Sequence, residues 1–231
     1  MIAILNWKFG DRFKALYDHV TSDVCFPVKW THDRPPECED ADACVLFEYL
    51  DDGTPSLATI FINRALPPHS AELRAAHELG HLWCVSRGLP RIRGTARYER
   101  AAPKLSNALD HFIVYRSLQD RGYDLEADRR RLLGDNLSDI RQSQTPWPQE
   151  GTTDFVNQVL HCFDVLSTLS SAQQQTLLQA IRSKSLELYM RLSHLLVLAA
   201  QGDLQDPKSY RSIAFALIGD MGLTGHLFVK S

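Results

Sequence analysis

The chain lacks any long hydrophobic run. The nearest to one, residues 195–200, falls far short of the roughly 18 consecutive apolar residues of a membrane helix, so no membrane partner is expected. It also lacks an excess of positive charge: Lys plus Arg number 25 against 28 for Asp plus Glu, a formal net charge of −3. No global field draws such a chain toward nucleic acid, which is therefore not an expected partner. Residues 1–8 carry no basic stretch ahead of a long apolar one, so a secretory leader is not expected. Cysteine is sparse and odd in number: Cys25, Cys38, Cys44, Cys84 and Cys162. Their spacings match neither CxxC nor a regular disulfide framework, and the expectation is reduced thiols in the cytoplasm. No repeat punctuates the sequence.

What is present suits a folded domain with a small appendage. Across 231 residues, 44% are apolar and 23% charged, enough to bury a core. Residues 9–22 place Phe9, Phe13, Leu16, Tyr17 and Val20 at helical spacing. Residues 31–42 hold two prolines and five acids and read as a solvated loop. Strands are expected at 44–50 and 56–63, joined through Asp51-Asp52-Gly53-Thr54-Pro55, a hairpin signal. A helix over 70–86 follows Pro67-Pro68 and ends at Gly88 and Pro90. Residues 91–104 are basic (Arg91, Arg93, Arg97, Arg100, Lys104) and read as an irregular, solvated segment. A second helix runs from about 105 to Gly122, and a charged segment occupies 124–134. Residues 142–153 have linker chemistry, and Leu-rich helices are expected at 154–167, 171–184 and 185–200. The fold class is α+β, with domain boundaries at 1–141 and 154–231 on either side of that linker.

The 70–86 helix contains His77-Glu78-Leu79-Gly80-His81. Residues four apart share a helix face, so the two imidazoles converge on one point, while Glu78 sits at the rim of that face. Two nitrogens for a metal and one carboxylate to take a proton are what HExxH zinc hydrolases require. Leu73, Ala76, Leu79, Leu82 and Trp83 make the helix apolar on most sides. Buried histidines there need partners, because an unpaired buried polar group costs about 1–3 kcal/mol. A catalytic zinc site takes three protein ligands. The second helix offers Asn107, Asp110, His111 and Tyr115; His111 is the chosen third ligand and Asp110 its alternative. Asn107, His111 and Tyr115 share one face by their spacing.

A hairpin followed by HELGH, and then by a helix that supplies a third ligand, resembles the gluzincin-like metallopeptidases. Within them it resembles the small ImmA/IrrE-like group of bacterial and phage proteins. The resemblance spans roughly residues 40–122 and is strongest at 77–81. It implies a zincin-like minimal domain: a small antiparallel sheet, an active-site helix and a second metal-ligand helix, here with a C-terminal helical subdomain. It implies a protein substrate, commonly a regulator such as a DNA-binding repressor. The group usually has a glutamate as third ligand, whereas this chain has Asn107-x-x-Asp110-His111 and no glutamate before Gly122 in that helix.

The expected chemistry is endopeptidase cleavage of a specific partner protein in the cytoplasm. Zinc lowers the pKa of its water toward about 7, and Glu78 acts as general base. Tyr115, Tyr98 or Arg97 would stabilise the oxyanion. The strand at 56–62 could pair with an extended peptide through its edge, with burial in the core as the equal alternative. Cys84, Cys38 or Cys44 could occupy the metal's open position as a regulatory thiol. The same residues also allow a non-proteolytic zinc-binding regulatory module, or a hydrolase acting on a non-peptide amide. The C-terminal helices offer packing or an interface, and the oligomeric state stays open.

Overall fold

The computed structural model describes residues 1–38, 41–99, 101–143 and 147–230. Glu39 and Asp40 of the acidic loop, Arg100 of the basic segment and residues 144–146 of the expected linker lie outside the described residues. The chain divides into two compact units: Met1–Gly88 with Arg116–Tyr123, and Leu89–Tyr115 with Asp124–Ser231.

The first unit opens with a short antiparallel pair, β1 (Ile2–Ile4) and β2 (Trp7–Phe9), followed by α1 (Asp11–Asp23). Then come β3 (Val28–Thr31), a 3-10 turn at Pro36–Cys38, β4 (Ala43–Tyr49), β5 (Pro55–Ile62) and α2 (Pro68–Ser86). The 51–55 turn joins β4 and β5 as an antiparallel hairpin. The sheet is mixed rather than antiparallel, because β3 runs parallel to β5. Its strand order is β3-β5-β4, so β5 has a neighbour on each side and cannot lend an edge to a peptide. That central position is what its composition suits: Ala58, Ile60, Phe61 and Ile62 are buried, each large side chain contributing about 1.5–3 kcal/mol. α2 packs on α1, β2, β4 and β5. Phe13, fully buried, meets the rings of Phe9 and Trp30 and extends the same core.

Cys38 and Cys44 form a disulfide, which corrects the expectation of reduced thiols at these positions. The turn at Pro36–Cys38 and the start of β4 bring their Cα atoms to 6.2 Å, within bridging range. Cys25, Cys84 and Cys162 remain thiols.

The second unit is mostly helical. It contains β6 (Arg91–Gly94), a 3-10 turn at Ala96–Tyr98, most of α3 (Ala101–Asp120), and α4 (Glu126–Gln142). α5 (Thr153–Thr168), α6 (Ser171–Arg182), α7 (Leu186–Ala199), α8 (Pro207–Asp220) and β7 (Leu227–Lys230) complete it. The basic segment is thus partly ordered as a strand, since β6 pairs antiparallel with β7 from Arg91–Lys230 to Gly94–Leu227. Gly94 permits the turn that follows: a Cβ there would lie 2.4 Å from the Tyr98 carbonyl oxygen. Among the described residues the architecture is α+β, with eight helices and three small sheets. No described helix is long and apolar enough to cross a membrane.

Candidate metal centre

α2 begins where Pro67 and Pro68 fit a first turn whose N–H groups have no intrahelical acceptor. It ends as Gly88 turns to φ +70° and donates to the Val85 carbonyl at 2.9 Å. Ala71, Ala75, Ala76, Leu79 and Leu82 on this helix have no exposed surface, so its polar residues are set in an apolar frame. His77 and His81 fall one turn apart within it. Their Nε2 atoms are 3.1 Å apart, with ring centroids at 4.8 Å and planes at 73°. Both nitrogens therefore address one location.

His111 of α3 completes the group. One ligand atom from each of His77, His81 and His111 lies within 4.8 Å of the other two. His81 is buried and the other two are half-buried. Nitrogens on a tetrahedral zinc, at bond lengths of about 2.0–2.1 Å, are separated by about 3.3 Å. The His77–His81 spacing is close to that. Three imidazoles could hold a metal, and as a donor set they suit zinc, copper, iron or nickel. Glu78, next to His77, is 6% exposed, a carboxylate kept largely from bulk water beside the histidine pair in sequence.

Asp110 is not in the cluster. It is fully buried, with Oδ2 accepting from the Arg91 guanidinium at 2.6 Å and Oδ1 from the Tyr210 hydroxyl at 3.1 Å. Consecutive helical residues point about 100° apart, and that rotation turns Asp110 toward β6 and α8 instead. The alternative third ligand is thus committed to an ion pair. Asn107 is exposed. Tyr115 is 8% exposed; its ring meets that of His111 edge-on at 5.7 Å and lies 5.9 Å from the Arg129 guanidinium. Arg97 donates to the Thr153 hydroxyl at 2.9 Å, and Tyr98 packs on the His226 ring at 5.1 Å.

None of the cysteines proposed as metal regulators belongs to the histidine group among the described residues. Cys84 is a buried thiol on α2, and Cys38 and Cys44 bond to each other.

One residue near the site escaped the sequence reading. His111 Nδ1 lies 2.8 Å from Oδ1 of Asp164 on α5, a close contact whose oxygen is off the line of a good hydrogen bond. The available signal was a lone acid amid Val159, Leu160, Phe163, Val165 and Leu166. Nearby on α5, burial pushes the Cys162 thiol up to about 11. Burial also lowers the pKa of His161, with the positive charge of Lys104 adding to the effect. No family model matches the chain, and neither does a curated protein or a solved structure.

Proposed function

We propose that this protein is a zinc-dependent endopeptidase of zincin-like arrangement that cleaves a specific partner protein, a regulator by resemblance. The observation that carries this reading is the convergence of His77, His81 and His111, two of them from an HExxH helix that also brings Glu78. Those three histidines would hold the ion. When bound, zinc supplies Lewis acidity, acidifying water and polarising a carbonyl. Glu78 takes the proton of the attacking water on its carboxylate and delivers it to the leaving amine nitrogen. The buried frame of α2 keeps that carboxylate from drifting into solvent. Tyr115, one turn beyond His111, is the hydroxyl this reading assigns to the developing oxyanion. The cytoplasm as working compartment belongs to the same proposal; there the Cys38–Cys44 bond would be subject to reduction.

The test uses the zinc-loaded full chain and a proteome-derived peptide library read by mass spectrometry. The unaltered protein is expected to cleave a narrow set of sequences, and Glu78→Gln to keep its zinc while losing cleavage by about 10²–10⁴-fold. Equal cleavage by the variant would remove Glu78 from the mechanism. No cleavage by the zinc-loaded unaltered chain would favour a non-proteolytic role for the metal.

A further inference from the structure

We propose that Asp164 is the positioning residue of the metal site, selecting the tautomer and orientation in which His111 presents its nitrogen. The inference rests on the zinc reading above and adds to it a residue from a helix that carries none of the ligands. α5 is a buried, apolar helix, with Leu160, Phe163 and Leu166 at or near zero exposure. Asp164 lies toward its C-terminal end, where the helix dipole disfavours a carboxylate and aspartate is a poor helix former. A charge in that place gains from a donor on another element. It meets His111 Nδ1 at 2.8 Å.

An aromatic contact lies beside the pair. Phe112 and Phe163, the immediate neighbours of the two partners, bring their ring centroids to 5.9 Å, so α3 and α5 touch there. With side-chain exposures of 12% for His111 and 30% for Asp164, water screens the contact only in part.

A neutral imidazole carries one N–H. A carboxylate against Nδ1 favours the proton there and leaves the Nε2 lone pair for a cation. Nε2 is also the atom through which His77 and His81 approach each other. Asp164 thus gives the third histidine the same donor atom as the first two, and limits rotation of its ring.

Two measurements on the full chain test this. In the first, zinc affinity is read by competition with a chromophoric chelator for the unaltered protein, Asp164→Asn, Asp164→Glu and His111→Gln. Asp164→Asn keeps the shape and removes the charge; it should weaken zinc binding about 10–100-fold, with partial recovery in Asp164→Glu. An unchanged affinity in Asp164→Asn, with zinc still bound through His111, would overturn the assignment while sparing the zinc reading. Failure of the unaltered chain to bind zinc, or indifference to His111→Gln, would defeat the zinc reading and the role built on it. The second measurement needs no folded variant of Asp164. Imidazole ¹⁵N NMR of the metal-free protein, with the His111 signals identified by their loss in His111→Gln, should show the Nδ1–H tautomer. The Nε2–H tautomer would overturn the proposal.

Discussion

α2 and α3 both carry polar side chains within apolar helices, and the contacts seen for them differ in range. On α2 one contact is local: His77 and His81 are one turn apart, and their Nε2 atoms come to 3.1 Å because helical geometry brings them there. On α3 the contacts are long-range. Asp110 is engaged by Arg91 from β6 and Tyr210 from α8, and His111 by Asp164 from α5. Two adjacent residues that could each ligate a metal thus divide into one held in a buried ion pair and one grouped with the histidines of α2. The difference shows what assigns the role: on α2 the spacing suffices, while on α3 the neighbours contributed by other elements decide it.

Breaking the local side should have the largest effect. His81→Ala is expected to take zinc content, by elemental analysis of protein purified without chelator, from about one equivalent to near none. Retention of a full equivalent would mean the metal sits elsewhere. Breaking the anchor on α3 should damage the fold without removing the metal. Asp110→Ala leaves Arg91 without its buried carboxylate and should cost about 3–5 kcal/mol in denaturant unfolding, with zinc stoichiometry kept while the protein is folded. Loss of zinc from a folded Asp110→Ala would return Asp110 to the ligand set.

A smaller effect should come from α5. Burial and the charge of Lys104 depress the pKa of His161 below its ordinary 6.5, only partly offset by Asp164 and Asp139. The unfolded chain therefore takes up this proton at higher pH than the folded one. The contribution of His161 to stability is complete above about 6.5 and falls away as pH drops through the lowered folded value. His161→Gln should flatten unfolding free energy against pH in that interval, and an unchanged slope would contradict it. The smallest effect is expected from the cysteine pair, which belongs to neither helix. Cys38→Ser combined with Cys44→Ser should leave zinc affinity unchanged; a tighter or weaker site would revive the idea of a thiol at the metal.

The same contrast explains what was legible in the sequence. α2, the β4–β5 hairpin and the histidine pair rest on contacts within a few turns or across one tight turn, where apolar period and Gly-Pro punctuation carry the information. β6 is hidden in the sequence because Arg-Ile-Arg-Gly has no apolar alternation worth the name, and its partner β7 lies far along the chain at Leu227–Lys230. β1 and β2 span three residues each, too few for a period. α4 was missed because Arg129, Arg130 and Arg131 mask its pattern, although one face still buries Ile140. α8 followed no strong cue beyond Asp206-Pro207, where Asp206 caps the helix by accepting from the Ser209 N–H at 2.8 Å. The role of Asp110 was illegible for a related reason: its partners at positions 91 and 210 leave no mark in the local sequence.

The central claim, three imidazoles on one ion, is tested most directly by X-ray absorption at the zinc edge on the zinc-loaded full chain. The account predicts about three histidine nitrogens at roughly 2.0–2.1 Å with no sulfur shell. A scatterer near about 2.3 Å, the distance of a thiolate, or a spectrum that His111→Gln leaves unchanged, would contradict it.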